Sequence, residues 1–192
     1  MAEAASVKKR PVAAADPRVR ANRILGVAVA LAILILDQIA KWIVVHPLRL
    51  EAHGTDGIAF APFFRFVFTA NQGVSMGFLT ASSETMRWIL VALTAAISAF
   101  VFAWLWREKR RDDALALALV LGGALGNILD RVRLGYVVDF ADLHFGGHAN
   151  ISDDIHPFLV FNVGDAAITI GVLLLLVRAL LTRDRKTPSE DK

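Results

Sequence analysis

Two aspartates stand out by their surroundings, Asp139 in VVDF and Asp165 in NVGD, each among apolar neighbours with no basic residue within four positions. Ionisable groups set against hydrocarbon are costly to hold, so their presence asks for a use. Two carboxylates brought face to face cannot both ionise cheaply and share a proton. One can then accept a proton from water while the other donates to a peptide carbonyl. That is amide hydrolysis without a metal or a covalent intermediate. The competing reading is that each aspartate separately satisfies backbone donors. Asn162, one helical turn ahead of Asp165, faces the same side and is placed to orient it by a hydrogen bond.

Other polar groups follow helical spacing. Asp37 and Lys41 are i,i+4 and can neutralise one another as a structural pair on one face. Asn127 and Arg131 have the same spacing, with Asp130 one turn from Asn127; Arg131 can anchor a loop carboxylate or a lipid phosphate. GVSMG, starting at Gly73, has the form of a nucleophile elbow, but that pattern has meaning only between a strand and a helix of a hydrolase sheet, which is not readable here. Asp142, His144, His148, Asp153, Asp154 and His156 form a possible metal-binding group. Gly146 and Gly147 argue against a helix presenting His144 and His148 together, and a solvated loop is the better reading, with no metal expected.

The elements that must position these groups are apolar and long. The 192-residue chain is 56% hydrophobic with a mean hydropathy of +0.53, above the range of soluble domains. It has no cysteine, which excludes disulfides and thiolate metal sites. Its basic residues flank apolar runs instead of forming a face with interleaved aromatics, which excludes nucleic-acid binding. The patterning predicts a basic disordered tail over 1–23, spans at about 24–45, 86–106, 114–134 and 157–181, and a tail over 182–192. The connection 46–85 contains FAPFFRFVFT, read as a short apolar strand or ribbon at the membrane interface, and 141–156 reads as a polar loop. Gly122 and Gly126 form a GxxxG pair that lets another helix approach closely.

Charge sets the expected orientation. Six Lys or Arg precede the first span, four lie between the second and third, and five follow from Arg178 onward. Both termini are therefore expected in the cytoplasm. Asp37 and Asp165 then lie about 12 Å from the outer ends of the first and fourth spans at 1.5 Å per residue. Asn71, Asn127, Asp130, Arg131 and Asp139 fall at or near the same level, which points to one shared, partly wet site below the outer surface.

Five segments carry a resemblance: DQIAK from Asp37, NQGVSMGF from Asn71, GGALGNILDR from Gly122, VVDF from Val137 and FNVGD from Phe161. Together, in this order, they resemble the lipoprotein signal peptidases (type II signal peptidases) of bacterial inner membranes. The resemblance implies an all-α membrane protein, a four-transmembrane-helix bundle with a small extracytoplasmic β-cradle around Phe60 to Thr69 and a flap after Asp139. It implies an aspartyl endopeptidase that removes signal peptides from diacylglyceryl-modified prolipoproteins, cutting before the lipidated cysteine. Asp139 and Asp165 would be the catalytic pair. Asn71, Gly73, Asn127, Arg131 and Asn162 would bind substrate or support the pair, and Asp37 with Lys41 would be structural. The resemblance brings no cofactor, a membrane-lipid environment, a monomer, and inhibition by globomycin-type cyclic peptides. The site would lie near the periplasmic leaflet of the inner membrane. The chain departs from the family pattern in having Gly164 for a usual Ala, Met76 for a frequent aromatic, and a longer Asp139-to-Asp165 interval.

Two other classes remain open at this stage. A small ion- or proton-coupled transporter would also place carboxylates in the membrane, although no internal repeat is visible. A structural membrane subunit would tolerate Asp→Asn changes at both positions.

Overall fold

The computed structural model describes residues 17–73, 84–144 and 159–183. In chain order they form α1 (Pro17–Val45), a short 3-10 turn (Leu50–His53), β1 (Ile58–Ala61), β2 (Phe64–Asn71), α2 (Glu84–Leu105), α3 (Arg111–Leu134), β3 (Val137–Leu143) and α4 (Val163–Arg183). All four α-helices are long and apolar enough to cross a membrane. α1, α2 and α4 carry rows of exposed Leu, Ile, Val, Phe or Trp, as surfaces facing lipid do.

α3 is the central helix. Half of its most apolar window is buried inside the protein, against 17% to 22% for the others, and it packs on α1, α2 and α4. Small residues permit this. A Cβ on Gly122 would stand 2.6 Å from the Ala30 carbonyl oxygen of α1, and one on Gly126 would strike the Asp37 carboxylate. The GxxxG pair thus receives α1, while the adjacent Gly123 lies against the Gly164 backbone of α4.

At one end of the bundle, α1 begins at Pro17, inside the segment that composition reads as a tail. Proline is tolerated in a first turn. The turn is held from the side: Asn22 Nδ2 donates to Glu108 O at 3.3 Å and Arg23 Nε to Trp106 O at 2.7 Å. Arg178 near the end of α4 meets Asp113 of α3 at 2.6 Å. The start of α1, the α2–α3 connection and the end of α4 therefore cluster together.

A three-stranded antiparallel sheet, order β1-β2-β3 and not closed, occupies the opposite end. The aromatic stretch folds into a hairpin, with Pro62 in the turn between β1 and β2, where its missing N–H breaks no ladder. Phe60, Phe64 and Phe66 pack edge to face. The apolar VVDF segment that carries Asp139 lies in the β3 strand. Arg65 pairs with Asp142 and Thr69 with Asp139, so the register shifts between Phe66 and Thr69. Asp139 and Asp142 are three apart on one strand and face opposite sides of it. Asp142 is held by Arg65 at 2.6 Å. Beyond His144, the polar loop and its remaining histidines lie outside the described residues, as do Met76 and most of GVSMG.

Candidate active site

Strand β3 delivers Asp139 and helix α4 delivers Asp165, and the start of α4 differs from the sequence expectation. The helix begins at Val163 rather than at Pro157, a position outside the described residues. Asp165 therefore sits in the first turn instead of well inside a span. The reason is local. Asn162 Oδ1 accepts the Asp165 N–H at 2.9 Å, and the Asn162 N–H donates back to Asp165 Oδ2 at 3.2 Å. This is a reciprocal capping box, with Asn162 as N-cap and Asp165 three residues on. Immediately before it, Phe161 bridges to Ala141 of β3, which brings the strand against the helix start.

The same asparagine reaches the other aspartate. Asn162 Nδ2 donates to Asp139 Oδ1 at 2.6 Å and to Asn127 Oδ1 at 3.1 Å. Asn71, at the end of β2, donates to Asp139 Oδ2 at 2.8 Å. Asn127 of α3 donates to Asp165 Oδ1 at 2.8 Å. Three amide side chains thus tie both carboxylates into one network.

The two aspartates are unequally exposed: Asp139 is buried and Asp165 only partly so. Burial pushes the Asp139 carboxyl from its ordinary 3.8 up to about 6. The Asn71 hydrogen bond opposes that rise, the neighbouring Asp165 charge reinforces it, and Asn162 and Lys41 oppose it further. The Asp139 carboxyl thus keeps its proton to higher pH than an ordinary aspartate does.

Around this centre the other expected residues take distinct places. Gly73 is exposed with φ +81°, a left-handed conformation that favours glycine, and its N–H caps Asn71 Oδ1 at 2.8 Å. Arg131 is half-buried, and its Nε has no hydrogen-bond partner among the described residues. Its Nη2 is 3.6 Å from where a Gly73 Cβ would stand, so the arginine lies beside the Gly73 turn. Lys41 meets Asp37 at 2.7 Å. It also meets Asp130 at 2.8 Å, a pairing that sequence reasoning missed. Gln38 was missed as well, and it donates to Asp130 Oδ1 at 2.9 Å. Helical spacing exposes pairs on one helix; Gln38 and Asp130 lie on different helices, and the only available signal was the common depth of their polar groups.

The fold and site define a polytopic membrane protein with an amide-bound carboxylate pair at one end of its helical bundle, an arrangement suited to an aspartyl hydrolase. The chain belongs to the signal peptidase II family: the family model described as "Signal peptidase (SPase) II" matches residues 29–181. It is 55% identical over 170 residues to a "Lipoprotein signal peptidase" of Rhizorhabdus wittichii, covering 88% of this chain and 94% of that protein. It is 48% identical over 167 residues to one of Sphingopyxis alaskensis, covering 87% and 91%. A solved structure described as "Bacterial membrane enzyme structure by the in meso method at 2.3 A resolution" superposes with a TM-score of 0.68 at 27% identity, over 88% of this chain and 94% of that one. The chain is accordingly an aspartic endopeptidase of the signal peptidase II type, a multi-pass protein of the bacterial inner membrane.

Proposed function

We propose that this signal peptidase cleaves diacylglyceryl-modified prolipoproteins just before the lipidated cysteine, with Asp139 and Asp165 as its catalytic pair. The observation that carries this reading is Asn162, which donates to Asp139 from its side chain and to Asp165 from its backbone. Asp165, the more exposed member, takes the proton of an attacking water. Asp139, carrying the shared proton, donates toward the scissile carbonyl, and a tetrahedral intermediate follows. Arg131, whose Nη2 borders the exposed Gly73 turn taken as the opening to the pair, is the group for a substrate carbonyl. Gly73 leaves room for the substrate backbone to approach.

The basic flanks support cytoplasmic termini, because the α1 start, the α2–α3 connection and the α4 end share one side and carry most Lys and Arg. The pair then works near the periplasmic leaflet. The lipidated substrate enters laterally, its acyl chains remaining among membrane lipids. We take the enzyme to act as a monomer and to be blocked by a globomycin-type cyclic peptide that occupies the same opening.

The test is a gel-shift cleavage assay with purified protein in detergent, using a lipidated precursor and its unlipidated counterpart, with EDTA throughout. Cleavage confined to the lipidated form and abolished in both Asp139→Asn and Asp165→Asn is the expected result. Near-normal cleavage by either variant would overturn the assignment of the pair.

A further inference from the structure

Lys41 of α1 lies in a buried polar cluster next to the carboxylate pair. The side chain is 4% exposed, and its Nζ contacts Asp37 Oδ2 at 2.7 Å, Asp130 Oδ2 at 2.8 Å and Asn127 Oδ1 at 3.0 Å. An ammonium has three protons, so this one is fully committed. Each carboxylate beside it accepts one backbone proton from another element. Asp37 Oδ1 takes the Gly164 N–H at 2.8 Å, and Asp130 Oδ2 takes the Val138 N–H at 3.2 Å. Gly164 directly precedes Asp165, and Val138 directly precedes Asp139. The third partner, Asn127, donates to Asp165 and accepts from Asn162, the amide that also bonds Asp139.

We infer that Lys41, Asp37 and Asp130 form a positioning unit for the reaction, setting the separation of Asp139 and Asp165 by holding the backbone just ahead of each. This inference rests on the reading of Asp139 and Asp165 as the catalytic pair. It assigns Asp130 and Lys41 a part that helix packing alone does not need. A cluster serving only to join helices could be replaced by apolar groups of similar volume with little loss. An apolar replacement cannot supply two directed acceptors to two backbone N–H groups on different elements. Since a displacement of about 1 Å at reacting groups costs about 100-fold in rate, such acceptors act on turnover more than on substrate binding.

The unit also sets part of the field at Asp139. That carboxyl faces Asn71 on β2, Lys41 on α1, and Asp165 and Asn162 at the start of α4, with Arg131 of α3 close by. Of these, Lys41 favours the ionised form and Asp165 the protonated one. Removing the Lys41 charge therefore moves the Asp139 titration to higher pH.

The test compares Asp130→Leu, Asp130→Asn, Asp37→Leu and Lys41→Met with wild type on the lipidated precursor. It reads kcat per folded enzyme, KM, the pH profile and the thermal midpoint. Arg178→Ala, at the far end of the bundle, serves as a variant that weakens the fold without touching the site. The expected result is a fall in kcat of about 100-fold for Asp130→Leu and Asp37→Leu with KM within about threefold. Asp130→Asn, which keeps an acceptor for Val138, recovers part of the loss. Lys41→Met shifts the alkaline limb of the profile upward, whereas Arg178→Ala lowers only the thermal midpoint. If Asp130→Leu does not fold, Asp130→Asn decides the matter through its kcat and pH profile. Wild-type kcat per folded enzyme in the Asp130 variants, with an unmoved profile in Lys41→Met, would overturn the inference while leaving the catalytic pair intact. Absence of cleavage by wild type, or retained cleavage by Asp139→Asn, would instead strike the function it rests on.

Discussion

Asn162 and Asp165 cap one another: the Asp165 N–H donates to Asn162 Oδ1 at 2.9 Å and the Asn162 N–H to Asp165 Oδ2 at 3.2 Å. The aspartate read as catalytic is thus also the residue that starts α4. Its place at a helix N-terminus surrounds a carboxylate with backbone donors and aligns it with the positive end of the helix dipole. Position and electrostatics come from the same four residues of sequence, Asn162 to Asp165.

Replacing the cap separates its two duties. Asn162→Ala removes the acceptor for Asp165 and the donor to Asp139, and is expected to cost about 1 kcal/mol for the cap alone, with cleavage falling about 100-fold as the pair loses its registration. Asn162→Asp keeps an acceptor for the helix but sets a third carboxylate against Asp139. It should recover part of the thermal midpoint and none of the activity. Thermal melts beside the cleavage assay decide this; equal recovery of both would show that Asn162 is only a helix cap.

The Asp139 carboxyl, raised to about 6, gives the pH dependence a sign. If its proton is the one donated in catalysis, kcat/KM declines as pH rises through about 6, because that quantity reports the free enzyme. Asn71→Ala removes a hydrogen bond that favours the ionised form, so the limb should move to higher pH. For stability, the folded state binds this proton more tightly than the unfolded one. The contribution of Asp139 is therefore fullest below the ordinary 3.8 and is lost as pH rises through about 6. A kcat/KM profile flat from about pH 5 to about pH 8, roughly one unit below that value to two above it, would contradict the assignment.

Arg65 and Asp142 join β2 to β3 on the side of the strand opposite Asp139, with side chains only 10% and 2% exposed. Asp142→Ala removes the carboxylate that the Arg65 guanidinium meets at 2.6 Å and should lower the thermal midpoint. The double change Arg65→Met with Asp142→Leu removes both charges and should be far milder. Melting curves of the single and double variants measure the difference. A single variant as stable as wild type would show that the pair adds nothing to the sheet.

Close contact of α3 with α4 predicts a graded response to a methyl group. A Cβ on Gly164 would stand 2.9 Å from the Gly123 carbonyl oxygen and 3.0 Å from Asn162 Oδ1, while one on Gly123 would meet the Gly164 backbone more severely. Gly123→Ala should push the helices apart, stretch the 2.8 Å Asn127–Asp165 bond and lose most activity. Gly164→Ala should cost less, because a small shift of the Asn162 side chain relieves part of the crowding. Cleavage rates and thermal midpoints of the two variants rank them; a reversed order would mean that the helices are spaced by other contacts.

Much of this protein was written in local pattern. Four apolar stretches of spanning length, the basic flanks and the i,i+4 spacing of Asp37 with Lys41 are properties of neighbouring residues, so the helices and that ion pair were legible before any coordinates. Asp139 and Asp165 were conspicuous for the same reason, as acids without nearby bases in apolar surroundings. What the sequence could not determine are relations between residues distant along the chain. The register shift between β2 and β3, the pairing of Gln38 and Lys41 with Asp130, and the start of α4 at Val163 rather than Pro157 all depend on which elements meet. An orphan N–H or a buried carboxylate states only that a partner is required. Which residue supplies it was decided when α1, α3, α4 and the sheet packed together, because hydrogen bonds across elements carry no periodicity that a single chain can display.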